Sequence, residues 1–274
     1  MKEFTDRVAV ITGAASGIGR GLARRCAQEG MKVVLADIDV PALANSAAEL
    51  QATGADILTM PTDVSKAGDV EALARTTLET FGAIHLLCNN AGVATVPVIW
   101  ESSLDEWQWI LGINLWGVIH GIHFFVPIML NQAVGGHIVN TASVAGLISG
   151  PGLGTYKVSK HGVVTLSETL YHELMQRHAN VKVSVLCPGF VDTNLMDTSA
   201  RTRPTTRPKN PEEVANEDGL RQAARTGTSP DRVAECVFTA LKEDKFYILP
   251  HPEWKEQIGL RMEDILYERN PTNP

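Results

Sequence analysis

The chain has 274 residues, 44% of them hydrophobic and 20% charged, a composition that supports a buried core and argues against disorder over most of its length. Its formal net charge of -7 and pI of about 5.6 exclude a chain-wide basic footprint for nucleic acid. No secretory leader is expected, because Met1 to Arg7 carry charge and the apolar run Val8 to Ile11 is too short for a signal core. The longest apolar candidate, Ile113 to Leu130, is interrupted by His120, His123 and Pro127, so no membrane span is expected. Cys26, Cys88, Cys187 and Cys236 are widely separated and have neither CxxC spacing nor a clustered framework. They read as reduced thiols of a cytoplasmic protein.

Taken in chain order, apolar runs alternate with helical periods. Val8 to Thr12 reads as the first strand. A helix follows over Gly17 to Glu29, with Gly30 as its C-terminal stop. Lys32 to Asp37 is the second strand, and Pro41 opens the next helix at a position where its missing N–H does no harm. Further strands are expected at Ile57 to Pro61, Ile84 to Asn89, His137 to Thr141, Val181 to Cys187 and Lys245 to Leu249. Helices are expected at Ala67 to Phe81, Leu104 to Leu130, Tyr156 to Arg177 and Pro230 to Leu241. The runs Val33–Ala36 and Ile84–Cys88 are continuously apolar, as in strands buried on both faces. The pattern predicts an α/β fold: a doubly wound, mostly parallel seven-stranded sheet with helices on both faces, in one domain spanning residues 1–274. Its site is expected at the C-terminal strand edges. Asn194 to Ser229, within a substrate-loop segment at 189–229, breaks the pattern. It is rich in Arg, Thr, Pro and Asn and carries Arg201, Arg203, Arg207 and Lys209. A solvated surface loop and a substrate lid are both compatible with it.

Between the first strand and first helix lies Thr12-Gly13-Ala14-Ala15-Ser16-Gly17-Ile18-Gly19. Glycines allow a sharp turn and close approach to a pyrophosphate, and the helix N-terminus offers free N–H groups and a positive dipole end. The spacing is GxxxGxG, not GxGxxG, so the general dinucleotide fingerprint is not met letter for letter. Asp37 ends the second strand, where a carboxylate can accept from both adenosine ribose hydroxyls and repel a 2′-phosphate. No Arg or Lys stands in the turn before Gly17 or beside Asp37. This favours NAD over NADP. Asp39 is a weaker substitute.

Ser143 follows the strand His137 to Thr141, and Tyr156 and Lys160 stand at i and i+4 of a helix, on one face. A nearby ammonium is expected to lower the phenol's pKa from about 10. Tyr156 could then act as general acid or base on a substrate oxygen that Ser143 holds. A Tyr-x-x-x-Lys pair alone arises by chance; its weight comes from its order behind the glycine turn. His120 and His123 sit i, i+3 on a helix without a third ligand nearby, so helix packing is preferred to a metal site. Trp107, Trp109 and Trp116 fit core packing or a subunit contact.

Thr12-Gly13…Gly17-Ile18-Gly19, Asn89-Asn90-Ala91-Gly92, Asn114, Ser143, Tyr156-x-x-x-Lys160 and Pro188-Gly189 occur in this order over Arg7 to Leu249. Together they resemble the short-chain dehydrogenase/reductases, in their compact single-domain branch with a Rossmann-type sheet. The resemblance implies that Tyr156 is the acid/base, that Lys160 binds the nicotinamide ribose and lowers the Tyr156 pKa, and that Ser143 orients the substrate oxygen. It implies that Asn114 anchors a water joining Lys160 to solvent. On the cofactor side it implies that Gly13, Ser16, Gly17, Ile18, Gly19 and Asp37 hold the adenosine and pyrophosphate portion. Asp63 and Val64 would contact adenine, and Asn90 and Gly92 the region beside its ribose. Pro188, Gly189, Val191 and Thr193 would lie on the nicotinamide side. A homodimer or homotetramer, paired through the helices of Asn114 and Tyr156, is also implied.

Leu147, Ile148, Leu153, Phe190 and Met196, with residues Gly92 to Val96, are the apolar pocket candidates and suggest a hydrophobic secondary alcohol or ketone. The Arg201–Lys209 cluster leaves an anionic substrate open. Two other readings are an NADP(H)-dependent carbonyl reductase and a dinucleotide-sensing protein without turnover.

Overall fold

The computed structural model describes residues 1–204 and 208–273. The elements run β1 (Val8–Thr12), α1 (Gly17–Gln28), β2 (Lys32–Asp37), α2 (Val40–Gln51), β3 (Ile57–Pro61), α3 (Ala67–Phe81), β4 (Leu86–Asn89), α4 (Leu104–Leu111), α5 (Gly117–Leu130), β5 (Gly136–Thr141), α6 (Gly154–Gln176), β6 (Val181–Leu186), α7 (Leu195–Thr202), α8 (Pro211–Arg225), α9 (Pro230–Glu243), β7 (Tyr247–Ile248) and α10 (Lys255–Leu266). The seven strands form one sheet in the order β3-β2-β1-β4-β5-β6-β7, and every pairing is parallel.

Alternate residues of the central strands feed two separate cores, which is why these strands are apolar without interruption. Ala9, Ile11, Val33, Leu35, Leu86 and Cys88 pack against Leu22 and Cys26 of α1, Leu43 of α2, and Val237 and Phe238 of α9. Val8, Val10, Val34, Ala36, Leu87 and Ile138 pack on the other face against Leu73 of α3, Phe125 and Met129 of α5, and Leu170 of α6. The expected doubly wound architecture is thus present.

Two expectations are revised and one element is added. The Leu104 to Leu130 helix runs without a gap, as expected, but a π-helical turn over Gly112–Trp116 separates its α-helical parts α4 and α5. This helix of 27 residues, with a mean hydropathy of 1.6 over its most apolar 18-residue window, is long and apolar enough to cross a membrane by length and composition. Here it lies along the sheet, with Val118, Phe125 and Met129 in the core. The segment after Asn194 is not a loop. It folds as α7 and α8, the latter opened by a capping box between Asn210 and Glu213 with Pro211 in its first turn. A further helix, α10, follows the last strand.

The basic cluster of this segment is neutralised by acids instead of being offered to a ligand; Arg207 lies outside the described residues. Arg203, on the chain just past α7, pairs with Glu106 of α4 and, at 3.3 Å, with Glu217 of α8. Lys209 reaches the other oxygen of Glu217 at 2.6 Å, and Arg201 reaches Asp39 at 3.2 Å. Glu106 and Glu217 are buried, so removing the cation would leave a buried acid without its partner. Arg203→Met is therefore expected to lower the unfolding free energy by roughly 3 kcal/mol and to expose α7 and α8 to limited proteolysis. An unchanged denaturation midpoint and digestion pattern would refute this role for the pair.

His137, the second residue of β5, is 1% exposed. Ser184 Oγ donates its one hydrogen to the Lys245 carbonyl at 2.7 Å and so accepts from His137 Nε2–H at 2.7 Å. His137 Nδ1 has no partner among the described residues. Burial pushes the imidazole down to about 3, well below its unfolded value of about 6.5. The unfolded chain therefore takes up a proton first on acidification, and the associated stability is lost as pH falls from about 6.5 toward about 3. His137→Leu is expected to flatten the decline of melting temperature between about pH 6.5 and about pH 4. Parallel profiles for the two proteins would overturn the assignment.

Candidate active site

The strand order reverses between β1 and β4, and a crevice opens at the C-terminal ends of these strands. A cleft of about 1060 Å³ occupies this edge. Of the residues expected to hold a dinucleotide, all but Gly19 line it, as do Ser143, Tyr156 and Lys160. Gly19 instead lies beneath the turn, where a Cβ would fall 2.0 Å from the Gly13 carbonyl oxygen.

The glycine turn is shaped for close approach. Gly13 and Gly17 take φ of 67° and 51°, a region open to glycine at no steric cost. A Cβ on Gly13 would meet Ala91 Cα at 2.9 Å, and one on Gly17 would meet Thr193 Cγ2 at 2.9 Å. Ser16, the N-cap of α1, makes no side-chain cap bond, and the first turn carries no acid. The leading N–H groups of α1 thus keep a positive end for an anion.

Asp37 stands where β2 ends. Its Oδ2 accepts from Ala15 N–H and its Oδ1 from Asp39 N–H, both at 3.0 Å. Each carboxylate oxygen keeps a lone pair for a further donor. Asp63 Oδ1 accepts from Ser65 N–H at 3.1 Å and Ser65 Oγ at 2.6 Å. Burial works to raise the Asp63 carboxyl, but these bonds and Lys66 outweigh it and hold the group below its usual range. The carbonyl of Val64 accepts from His120 Nδ1–H at 2.9 Å. That contact accounts for His120 as a packing residue, and no group of His, Cys, Asp or Glu able to hold a metal occurs among the described residues.

The chemical end lies deeper. Lys160 is 3% exposed and donates to the Thr141 carbonyl at 2.9 Å. Its Nζ lies 5.6 Å from the centroid of the Tyr156 ring. Burial pulls the ammonium down to about 8. Burial also raises the Tyr156 phenol above its ordinary value, while the adjacent Ser143 hydroxyl works in the opposite direction. The expected lowering of Tyr156 by Lys160 is therefore not the balance here: the ammonium faces a carbonyl and the ring, and desolvation dominates both groups. Ser143 lies against Pro188, whose carbonyl accepts from Ser143 Oγ at 3.3 Å.

Asn114, fully buried, sits on the π-helical turn. Its Oδ1 accepts from Val93 N–H at 2.8 Å, and its Nδ2 donates to the Val93 carbonyl at 2.9 Å and to Ser159 Oγ at 3.0 Å. The side chain expected to anchor a water is instead committed to a backbone clamp. It still lies near Lys160: a Cβ built on Gly92 would be 3.3 Å from Asn114 Oδ1 and 3.4 Å from Lys160 Nζ.

Ile148, Leu153, Phe190 and Met196 line the cleft, whereas Leu147 packs with Val118, Ala142 and Val163 in the core. Sequence reasoning missed Leu195 and Leu220, brought in by α7 and α8, and Trp254, Gln257 and Asn273 from the C-terminal segment. The Asn210-Pro211-Glu212-Glu213 helix-start signal could have located α8. Nothing in the sequence near Trp254 points to the cleft.

Comparison with known proteins agrees with this geometry. A short chain dehydrogenase from Burkholderia phymatum, solved in complex with NAD, superposes with a TM-score of 0.97 at 48% identity, covering 100% of this chain and 99% of that one. A CLA biosynthesis dehydrogenase/reductase of Lactiplantibacillus plantarum is 36% identical over 99% of this chain and 97% of its own length. A 1-deoxy-11-beta-hydroxypentalenate dehydrogenase of Streptomyces avermitilis is 36% identical over 94% of this chain and 89% of its own. The short chain dehydrogenase family model matches residues 7–204, and the chain belongs to that family.

Proposed function

We propose that the protein is an NAD(H)-dependent oxidoreductase that interconverts a hydrophobic secondary alcohol and its ketone. The observation that carries this reading is the convergence of Ser143, Tyr156 and Lys160 in one cleft with a Cβ-free phosphate turn and the Asp37 carboxylate. The residues fit the cofactor: a side chain at Gly13 or Gly17 would close the turn, and no capping side chain competes at the start of α1. NAD bound to the Burkholderia relative supports the same choice.

Bound NAD would accept or supply hydride at its nicotinamide. The protein's part is to place and protonate the substrate oxygen. In oxidation, Tyr156 takes the hydroxyl proton while Ser143 orients the oxygen; in reduction the proton returns by the same path. Lys160, whose ammonium burial pulls down to about 8, passes the proton toward the gap beside Gly92. Asn114, on the π-helical turn, lies beside that gap, where a water would complete the path to solvent. Ile148, Leu153, Met196 and Leu220 give the substrate end an apolar lining. Exposed Trp116, Val158 and Met175 on the π-turn and α6 support a homo-oligomer. The free thiols of all four cysteines fit a reducing, cytoplasmic setting.

A panel of secondary alcohols offered with NAD, followed at the reduced-nicotinamide absorbance, tests this reading. Oxidation is expected to rise from neutral to alkaline pH, since Tyr156 must be deprotonated to act and its pKa is raised. Tyr156→Phe is expected to lower kcat by roughly a thousandfold. No turnover across the panel, or full activity of Tyr156→Phe, would refute the assignment. Asp37→Ala is expected to raise the KM for NAD by about tenfold while changing that for NADP little. A wild-type preference for NADP would overturn the role of Asp37.

A further inference from the structure

His251 lies beyond β7, outside the motifs discussed above, and is 6% exposed. Both of its ring nitrogens are engaged by the turn after β6. Gly189 N–H donates to Nδ1 at 3.0 Å, and Nε2 lies 2.9 Å from the Phe190 carbonyl oxygen. A backbone N–H can only donate and a carbonyl can only accept. The partners therefore fix His251 as the neutral tautomer with hydrogen on Nε2.

The strand register explains why a side chain is needed there. Val185 N–H donates to the Phe246 carbonyl at 2.8 Å and Cys187 N–H to the Ile248 carbonyl at 2.9 Å. The parallel ladder advances by two residues on each strand, so the Gly189 N–H would next seek the carbonyl of Pro250. The imidazole takes that donor instead. The ladder is thus extended through a side chain at the point where the chain must leave the sheet to form the cleft wall.

The same turn is held from three other directions. Val144 N–H donates to the Pro188 carbonyl at 2.9 Å, and Thr228 N–H to the Phe190 carbonyl at 3.0 Å. The Trp254 ring lies 6.3 Å from that of Phe190, and a Cβ on Gly189 would come within 2.7 Å of Trp254 Nε1. Pro188 in turn touches Ser143.

We propose that His251 is a positioning residue for the nicotinamide half of the cofactor. Through its two hydrogen bonds it sets residues 188–190 relative to Ser143. The inference rests on the reading above, in which this turn faces the nicotinamide, and it adds a residue on the C-terminal segment to that site. Loss of the imidazole leaves the Gly189 N–H without its acceptor and the Phe190 carbonyl with one donor fewer. Residues expected at the adenosine half, in the β1–α1 turn and at the ends of β2, β3 and β4, make no contact with His251 in either hydrogen bond.

The test compares NAD with ADP-ribose, which lacks the nicotinamide ring. Binding of each is measured by calorimetry to the wild-type protein and to His251→Ala, His251→Gln and His251→Asn. His251→Ala is expected to weaken NAD about tenfold, in line with two lost hydrogen bonds, and to leave ADP-ribose within about twofold of wild type. In His251→Asn the side-chain oxygen can stand in for Nδ1, and in His251→Gln the side-chain amide can stand in for Nε2. Each is expected to recover part of the NAD affinity, and this comparison carries the test if His251→Ala does not fold. Equal losses for NAD and ADP-ribose, no loss with NAD, or no recovery in either conservative variant would overturn the proposal. Wild-type protein that binds neither ligand would overturn the cofactor reading as well. Normal NAD binding in all three variants would overturn this proposal alone.

Discussion

The site depends on how β1 and β4 are joined where they part. Their pairing ends at Ile11 and Cys88. Beyond it the Thr12 hydroxyl accepts from Asn90 N–H at 2.9 Å and Ala91 N–H at 3.1 Å, and donates to the Cys88 carbonyl at 3.4 Å. Asn90 Nδ2 answers with a bond to the Thr12 carbonyl at 3.0 Å. From this junction α1 packs on one face of the sheet and α5 on the other, so the two chains must separate and leave a crevice. Gly13 can lie against Ala91 because the junction brings the two backbones together and Gly13 has no Cβ to meet Ala91 Cα or Asn90 Nδ2.

The helix bearing Tyr156 and Lys160 is fixed by polar contacts within an apolar core. Asn89 Nδ2 donates to Asn140 Oδ1 at 2.9 Å, Asn140 Nδ2 to Ser167 Oγ at 3.0 Å, and Ser167 Oγ to the Val163 carbonyl at 2.7 Å. These bonds join β4, β5 and α6 in sequence. Asn114 and Ser159 make a second tie, which ends on the Tyr156 carbonyl at 2.7 Å. Leu170 and Leu174 would pack acceptably at neighbouring registers, since apolar contact is not directional. A buried amide has no such latitude, because a displaced partner leaves it unsatisfied. The register of α6, and with it the depth of Tyr156 and Lys160, is set by these amides.

What the sequence disclosed follows the range of the interactions involved. Val8–Thr12, Lys32–Asp37 and Ala67–Phe81 were legible to the residue because the apolar pattern and the flanking turn residues coincide with the element ends. Ile84 and His85 read as strand but precede β4. Ile84 exchanges both main-chain bonds with the Gln132 side chain, and His85 Nδ1 takes the Val8 N–H. His85 keeps its own ladder bonds to Val8 and His137, but side chains take the main-chain groups of Ile84 and the Val8 N–H, and no local pattern reports that. The π-turn at Asn114 was hidden for a similar reason: its sequence is ordinary helix, and its distortion goes with a clamp on Val93. The Tyr156–Lys160 spacing disclosed a shared face but not the burial of both groups, and burial decides the direction of their pKa values.

The segment between β6 and α9 shows how charge and apolarity are divided on one element. Leu195, Met196 and Leu220 turn inward with Leu153, Tyr156 and Ala94. Arg201, Arg203 and Lys209 turn toward Asp39, Glu106 and Glu217. Arg221 reaches the cleft, yet it already pairs with Asp197 and Asp218 at 2.8 Å and with Glu217 at 3.4 Å. Asp197 and Asp218 are largely exposed, whereas Glu217 also holds Arg203 and Lys209, so Arg221 is shared between a buried acid and two surface ones. The leucines and methionine of the same elements give the cleft apolar surface, whose burial is favourable. Arg201 and Arg203, which suggest an anion site in the sequence, thus fasten the α7–α8 pair in place, and the leucines and methionine on its inner side line the cleft.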